Sequence, residues 1–179
     1  MKRQTFLKSA QVDLVLVTPE DAEAICKWFN DGEITAYLAR GAHPMTLSFE
    51  CEHLEKLYND PAHLVFGLWH RKDKKLIGTI GLHQINHINQ HASFGICIGE
   101  KDYWSQGIGT EALEVMLKHA FGRLNMRSVR LSVFGNNPRG KKCYEKCGFV
   151  EIGRYPKHIL KDGEWQDEVL MLANNPAYA

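Results

Sequence analysis

The sequence predicts a mixed α/β domain, a central sheet flanked by helices. Three observations carry that prediction. Short apolar runs of strand length recur along the chain, amphipathic segments of helical period lie between them, and no repeat, low-complexity stretch or long linker interrupts the alternation. With 179 residues, residues 1–179 are read as a single domain. At 44% hydrophobic and 24% charged residues, the chain can bury a sizeable core without disulfide or metal staples.

Val12 to Val17 is a short apolar run and reads as the first strand. Thr18-Pro19-Glu20-Asp21 is a helix start, with Thr as N-cap, Pro at the first helical position and acids in the first turn. Ala22, Ile25, Cys26 and Phe29 then recur at helical spacing until Asn30-Asp31-Gly32 breaks the helix. Glu33 to Leu38 and Ser48 to Tyr58 read as two further helices. Leu64 to His70 and Leu76 to Leu82 flank the polar turn Arg71 to Lys75, the pattern of an antiparallel hairpin, and Ala92 to Ile98 is a third strand. Gly107-Ile108-Gly109 precedes an amphipathic helix with Ala112, Leu113, Met116, Leu117, Ala120 and Phe121 as its apolar stripe and Gly122 as its stop. Val129 to Phe134 alternates as a strand. Pro138 to Lys146 is a shorter helix ended by Gly148, and two closing strands, Phe149 to Ile152 and Glu168 to Leu172, flank the turn Lys161 to Glu164.

Composition excludes several function classes. A formal net charge of +1 gives no electrostatic footprint for nucleic acid. Five cysteines, Cys26, Cys51, Cys97, Cys143 and Cys147, are an odd number without tight spacing, which argues for reduced thiols rather than a disulfide framework. Cys143 and Cys147 would share one helix face, but two thiols alone make a poor zinc site, so no metal is expected. The basic N-terminus from Met1 to Lys8 lacks the apolar run of a signal peptide, and no stretch reaches membrane-spanning length. The expected setting is the cytoplasm, without membrane or nucleic-acid partners.

Two motifs carry chemistry. A helix start leaves backbone N–H groups unpaired and partially positive, and glycines let a ligand approach closely. The amides from Gln106 through Gly107, Ile108, Gly109 and Thr110 are therefore a candidate phosphate cradle. Gly107-x-Gly109-x-x-Ala112 also loosely fits a dinucleotide fingerprint. Against that, Glu100 to Gln106 intervene after the strand, and the next strand ends in Phe134-Gly135-Asn136 where an acid is needed for the ribose. The second motif runs from Asn137 to Phe149, a helix that follows a strand and stops at glycine.

Together with the strand Ala92 to Ile98 and Tyr103-Trp104-Ser105-Gln106-Gly107-Ile108-Gly109-Thr110-Glu111-Ala112, the Asn137–Phe149 block resembles the GNAT N-acetyltransferase superfamily. The branch it is most similar to includes the ribosomal-protein N-terminal and the spermidine acetyltransferases. The resemblance extends from about Leu76 to Leu172. It implies the GNAT fold, with two splayed parallel central strands, and transfer of an acetyl group from acetyl-CoA to a primary amine by direct attack in a ternary complex. The acceptor is a small molecule or a protein N-terminus, and a homodimer is implied. The narrower alternatives are a polyamine acetyltransferase and a non-catalytic acyl-CoA sensor.

The resemblance also assigns roles. The Gln106–Thr110 loop holds the diphosphate, and Asn137 lies beside the pantetheine arm. A backbone N–H near Ile98 or Gly99 polarises the thioester carbonyl. Arg139 and Lys142, within the basic cluster Arg139, Lys141 and Lys142, reach coenzyme phosphates. Tyr144 is the acid that protonates the leaving sulfur; a thiol near ~8.5 and a tyrosine near ~10 are close enough for that transfer. A lysine-like amine costs about 4.6 kcal/mol to neutralise at pH 7, so a base is needed, and the sequence offers Glu100, Asp31, Glu33, His83 and His87. Two positions depart from the family pattern: Trp104, three residues before the first glycine, where Gln or Arg is common, and Gly140, where Ala or Ser is common.

Overall fold

The computed structural model describes residues 3–39 and 41–178; Met1 and Lys2 of the basic N-terminus lie outside them. Eight strands form one sheet in the order β1-β2-β3-β4-β5-β6-β8-β7. They are β1 (Thr5–Lys8), β2 (Val12–Val15), β3 (Leu64–His70), β4 (Lys75–Asn86), β5 (His91–Ile98), β6 (Ser128–Phe134), β7 (Val150–Lys161) and β8 (Glu164–Asn174). The helices are α1 (Ala22–Phe29), α2 (Gly32–Thr35), α3 (Leu47–Lys56), α4 (Ile108–Gly122) and α5 (Pro138–Lys146).

Strand periodicity explains why helices cover both faces. Val12 and Leu14 point to one side of β2 and pack with Ile108, Leu113 and Met116 of α4. Val15 and Val17 point to the other side, where Ile25 and Trp28 of α1 and Leu54 of α3 meet them. Leu76 and Ile77 of β4 divide between the two clusters in the same way.

Only β5 and β6 run parallel, and they need the α4 crossover to do so. Their pairing covers His91↔Ser128, Ala92↔Val129 and Ser93↔Arg130, and stops there. Beyond Ser93 the strands diverge, with β5 still paired to β4 through Ile98 and β6 still paired to β8 through Phe134. This splay is the expected feature of the fold class.

Several expectations shift in detail. Thr5–Lys8 pairs with β2 as an extra edge strand; its Phe6 stacks on Phe66 at 5.1 Å, a contact with no signature in a lone four-residue run. The helix expected from Pro19 begins as a turn of tighter helix at Pro19–Asp21, because Asp21 is buried and takes bonds from the Thr18 amide and the Arg3 guanidinium. Glu33–Leu38 shortens to α2, capped by Asp31, whose side chain accepts from Glu33 and Ile34. Gly122 is the last residue of α4 rather than its stop, and Arg123 caps the helix. The closing strands are two to three times the expected length, because β7 and β8 extend as a two-stranded arm whose exposed residues gave no apolar run to read.

A close approach fixes the β4–β5 pair. A Cβ on Gly78 would stand 2.2 Å from the Cys97 carbonyl oxygen, a backbone atom that cannot move aside. Gly78→Ala should lower unfolding free energy by about 1–3 kcal/mol, the usual cost of overpacking. Chemical denaturation measures it, and an unchanged midpoint contradicts the packing described.

Candidate active site

The start of α4, the open end of the β5–β6 splay and the first turns of α5 surround a cavity of about 320 Å³. Gly107 is the N-cap of α4 at φ +81°, a conformation that glycine adopts without strain, and nothing lies within 4 Å of where its Cβ would stand. The first helical bond runs from the Glu111 amide to the Gly107 carbonyl, so the amides of Ile108, Gly109 and Thr110 have no intrahelical acceptor. Gly107, Ile108, Gly109 and Thr110 all border the cavity. The Gln106 side chain does not: it turns away to donate to the Asp102 carbonyl.

The second wall is β5. Gly99 donates its N–H to the Ile77 carbonyl, so the Gly99 alternative for thioester polarisation is spent within the sheet. Strand alternation then turns the N–H and C=O of Ile96 and Ile98 the other way, toward the splay. The Ile98 carbonyl there accepts from Trp104 Nε1 at 2.7 Å. Trp104, the departure from the family pattern, thus ties the loop to β5, and its ring carries the Arg139 guanidinium at 4.3 Å.

The third wall is α5. Asn137 is its N-cap, accepting from the Gly140 amide at 2.9 Å while bordering the cavity. Gly140 permits that cap, since a Cβ there would meet Asn137 Nδ2 at 2.7 Å. The basic cluster divides: Arg139 and Lys142 border the cavity, whereas Lys141 pairs with Glu151 on β7. Tyr144 packs against Phe94 and Phe149, with ring centroids 6.2 and 6.0 Å away. Burial, with the neighbouring Cys143, holds its hydroxyl well above the ordinary tyrosine range, so it stays protonated.

Glu100 does not have the geometry of a base. Its Oε1 accepts from Trp28 Nε1 at 3.0 Å, its Oε2 pairs with Lys75, and it borders neither this cavity nor the next. Burial pushes its carboxyl up, but the Lys75 and Trp28 bonds outweigh this and leave it below the usual carboxylate range. It anchors α1 to the sheet. Asp31 and Glu33 are both tied to Lys101.

A second cavity of about 270 Å³ lies between β4, β5, α1 and α3. Leu38, Ile96 and Cys97 border both cavities, so the two meet at the end of β5. His83, buried Glu50 and His53 are among its polar residues. The His83 ring lies over the cross-strand pair Gly81 and Gly95, with Nε2 3.2 and 3.5 Å from where their Cβ atoms would stand. Its Nδ1 is 3.0 Å from Nδ1 of His63, whose Nε2 is 3.7 Å from Asp60. Sequence spacing gave no hint of this histidine pair, because His63, just before β3, and His83 on β4 lie 20 residues apart.

Residues 11–150 match the family model for the acetyltransferase (GNAT) domain. The chain is a GNAT acetyltransferase. It is 26% identical over 165 residues to the uncharacterized N-acetyltransferase YoaA of Bacillus subtilis, covering 88% of this chain and 90% of that one. To the spermidine N(1)-acetyltransferase of Vibrio cholerae it is 33% identical over 120 residues, 65% of this chain and 68% of the relative. The crystal structure of the Vibrio cholerae spermidine N-acetyltransferase in complex with CoA and spermine superposes with a TM-score of 0.86 at 27% identity, over 94% and 98% of the two chains. This GNAT enzyme is an acetyl-CoA-dependent N-acetyltransferase with acetyl-CoA as co-substrate. Among the described residues no helix is long and apolar enough to cross a membrane, and no group of three or more His, Cys, Asp or Glu is arranged to hold a metal.

The cradle fits a diphosphate-bearing donor: bare amides, two cations and a glycine floor. A Cβ on Gly109 would meet only ordinary contacts, Cys143 Sγ and Ile98 Cδ1 at 3.6 Å, and would occupy cradle space. Gly109→Ala should therefore fold normally and weaken CoA about tenfold, on the order of 1.4 kcal/mol, by calorimetric titration. Unchanged affinity contradicts the cradle.

Proposed function

We propose that this enzyme acetylates a small primary amine or a protein N-terminus by direct attack, with donor and acceptor bound together in the two cavities that meet at Ile96 and Cys97. That shared border is the observation that carries the reading. In it, the amides of Ile108 to Thr110, with Arg139 and Lys142, hold the donor phosphates. Asn137 sits beside the pantetheine arm, and the Ile98 N–H polarises the thioester carbonyl.

Tyr144 protonates the departing sulfur. His83 takes the place first given to Glu100. With His83 Nδ1 facing His63 Nδ1 at 3.0 Å, His83 Nε2 is the atom assigned to accept the amine proton. This tautomer is assigned from the His63–His83 contact.

The likeness to spermidine acetyltransferases supports a second reading, a polyamine acceptor. A cytoplasmic homodimer is part of the proposal. Ile152 and Tyr155 on β7 and Trp165 on β8 are exposed apolar groups on the two-stranded arm that a second copy would cover.

Labelled acetyl-CoA offered to spermidine, amino acids, amino sugars and short peptides tests the activity. Label should move to at least one amine with intersecting initial-rate lines; parallel lines, or acetyl-enzyme without amine, contradict direct attack. Side-chain roles separate in pH–rate profiles. Tyr144→Phe should lower turnover about 10²-fold or more while the donor still binds. His83→Gln should erase the acid limb, whereas Glu100→Gln should keep it; a limb unchanged in His83→Gln excludes this base.

A further inference from the structure

We propose that Cys143 is a modification site: a thiol in the donor cavity wall whose mixed disulfide with a low-molecular-weight thiol shuts acetyl-CoA out. The inference rests on this cavity being the donor site. Neither the acetyl transfer nor the roles given to Tyr144 and His83 call on this sulfur.

The position is specific. Cys143 borders the cavity, and its Sγ lies 3.6 Å from where a Cβ on Gly109 would stand, against the cradle itself. Thr110 Oγ1 donates to that sulfur at 3.4 Å. Gly109 and Thr110 belong to the first turn of α4, whose unpaired amides and partial positive charge favour a thiolate. Four residues on, Cys147 directs its own S–H to the Thr110 carbonyl at 3.6 Å. The sulfur is thus set among donors and positive charge, not in an apolar core.

The charged neighbours agree. The Cys147 thiol, the Thr110 hydroxyl and Lys146 hold the Cys143 thiol below its ordinary range, against burial and Glu114. The shift favours the thiolate, so Cys143 should react faster than Cys147, whose thiol the same pair holds above its ordinary range. Cys26 is buried and Cys51 lies outside this cavity, while Cys97, which borders it where the two cavities meet, is only 8% exposed. Arg139 and Lys142 at the mouth favour an anionic reagent, a property shared by glutathione disulfide and CoA disulfide.

The step is thiol–disulfide exchange. The Cys143 thiolate attacks one sulfur of the reagent, a new S–S bond forms as the old one breaks, and the departing thiolate takes a proton from solvent. Cys143 is oxidised to the disulfide level while half of the reagent is reduced to thiol. The attached group then fills space that the donor needs.

The full-length protein is treated separately with glutathione disulfide and CoA disulfide, mapped by peptide mass spectrometry and titrated with acetyl-CoA. The adduct should appear on Cys143 before any other cysteine, slow at least tenfold when CoA is already bound, weaken donor binding at least tenfold, and reverse with a reductant. Cys143→Ser should keep its own donor affinity through the same treatment. If only CoA disulfide reacts, the reagent is recognised through its nucleotide; if both do, through its charge. No adduct on Cys143, a Cys143–Cys147 disulfide without adduct, or an adduct that leaves binding unchanged overturns the proposal alone. An adduct formed equally fast with CoA present overturns the donor-site reading, and the blocking claim falls with it.

Discussion

The site depends on one broken ladder. β5 and β6 share only three residue pairs before separating, and every other neighbouring pair in the sheet is antiparallel. Closing that ladder would pair the Ile96 groups and the Ile98 N–H within the sheet and leave no slot for an extended, amide-bearing arm. The fold keeps the strands apart by other attachments. β5 is held by β4 along its length and β6 by β8, while α4 and α5 pack over the gap on one face. An unsatisfied strand edge is normally a liability; here it is where a ligand with amide groups of its own can pair.

The α4 N-terminus turns that slot into an addressed site. Its orphan amides border the same cavity as the open end of the splay, so the anion and arm recognition proposed here would share one cavity. The helix is held from its far side as well. Glu111, one turn in, accepts from Ser9 Oγ and from the Gln11 amide at 2.6 Å, tying the β1–β2 turn to the helix start. The edge strand that looks peripheral therefore steadies the cradle.

Much of this was legible in the sequence, for a physical reason. The glycine turn at Gly107, the apolar stripe of α4 and the Gly148 stop, at φ +87°, are local requirements, and local requirements leave local signatures. What was hidden is what the chain assembles from afar. Glu100 sits beside the right strand in sequence, yet Trp28 and Lys75 claim its oxygens from two other elements. His83 meets His63 only because β4 pairs with β3. Cys143 and Cys147 were readable as one helix face, but not the fact that the face abuts Thr110. The second cavity, spread over α1, α3, β4 and β5, has no motif at all.

The central claim is that the start of α4 holds the diphosphate of a pantetheine-bearing donor lying in the splay. Parallel calorimetric titrations of the purified protein with CoA and with pantetheine, which has the arm but no diphosphate, address it most directly. Saturable CoA binding, with pantetheine at least a hundredfold weaker, about 2.7 kcal/mol, is the predicted result. Equal affinities, or no CoA binding, would contradict it.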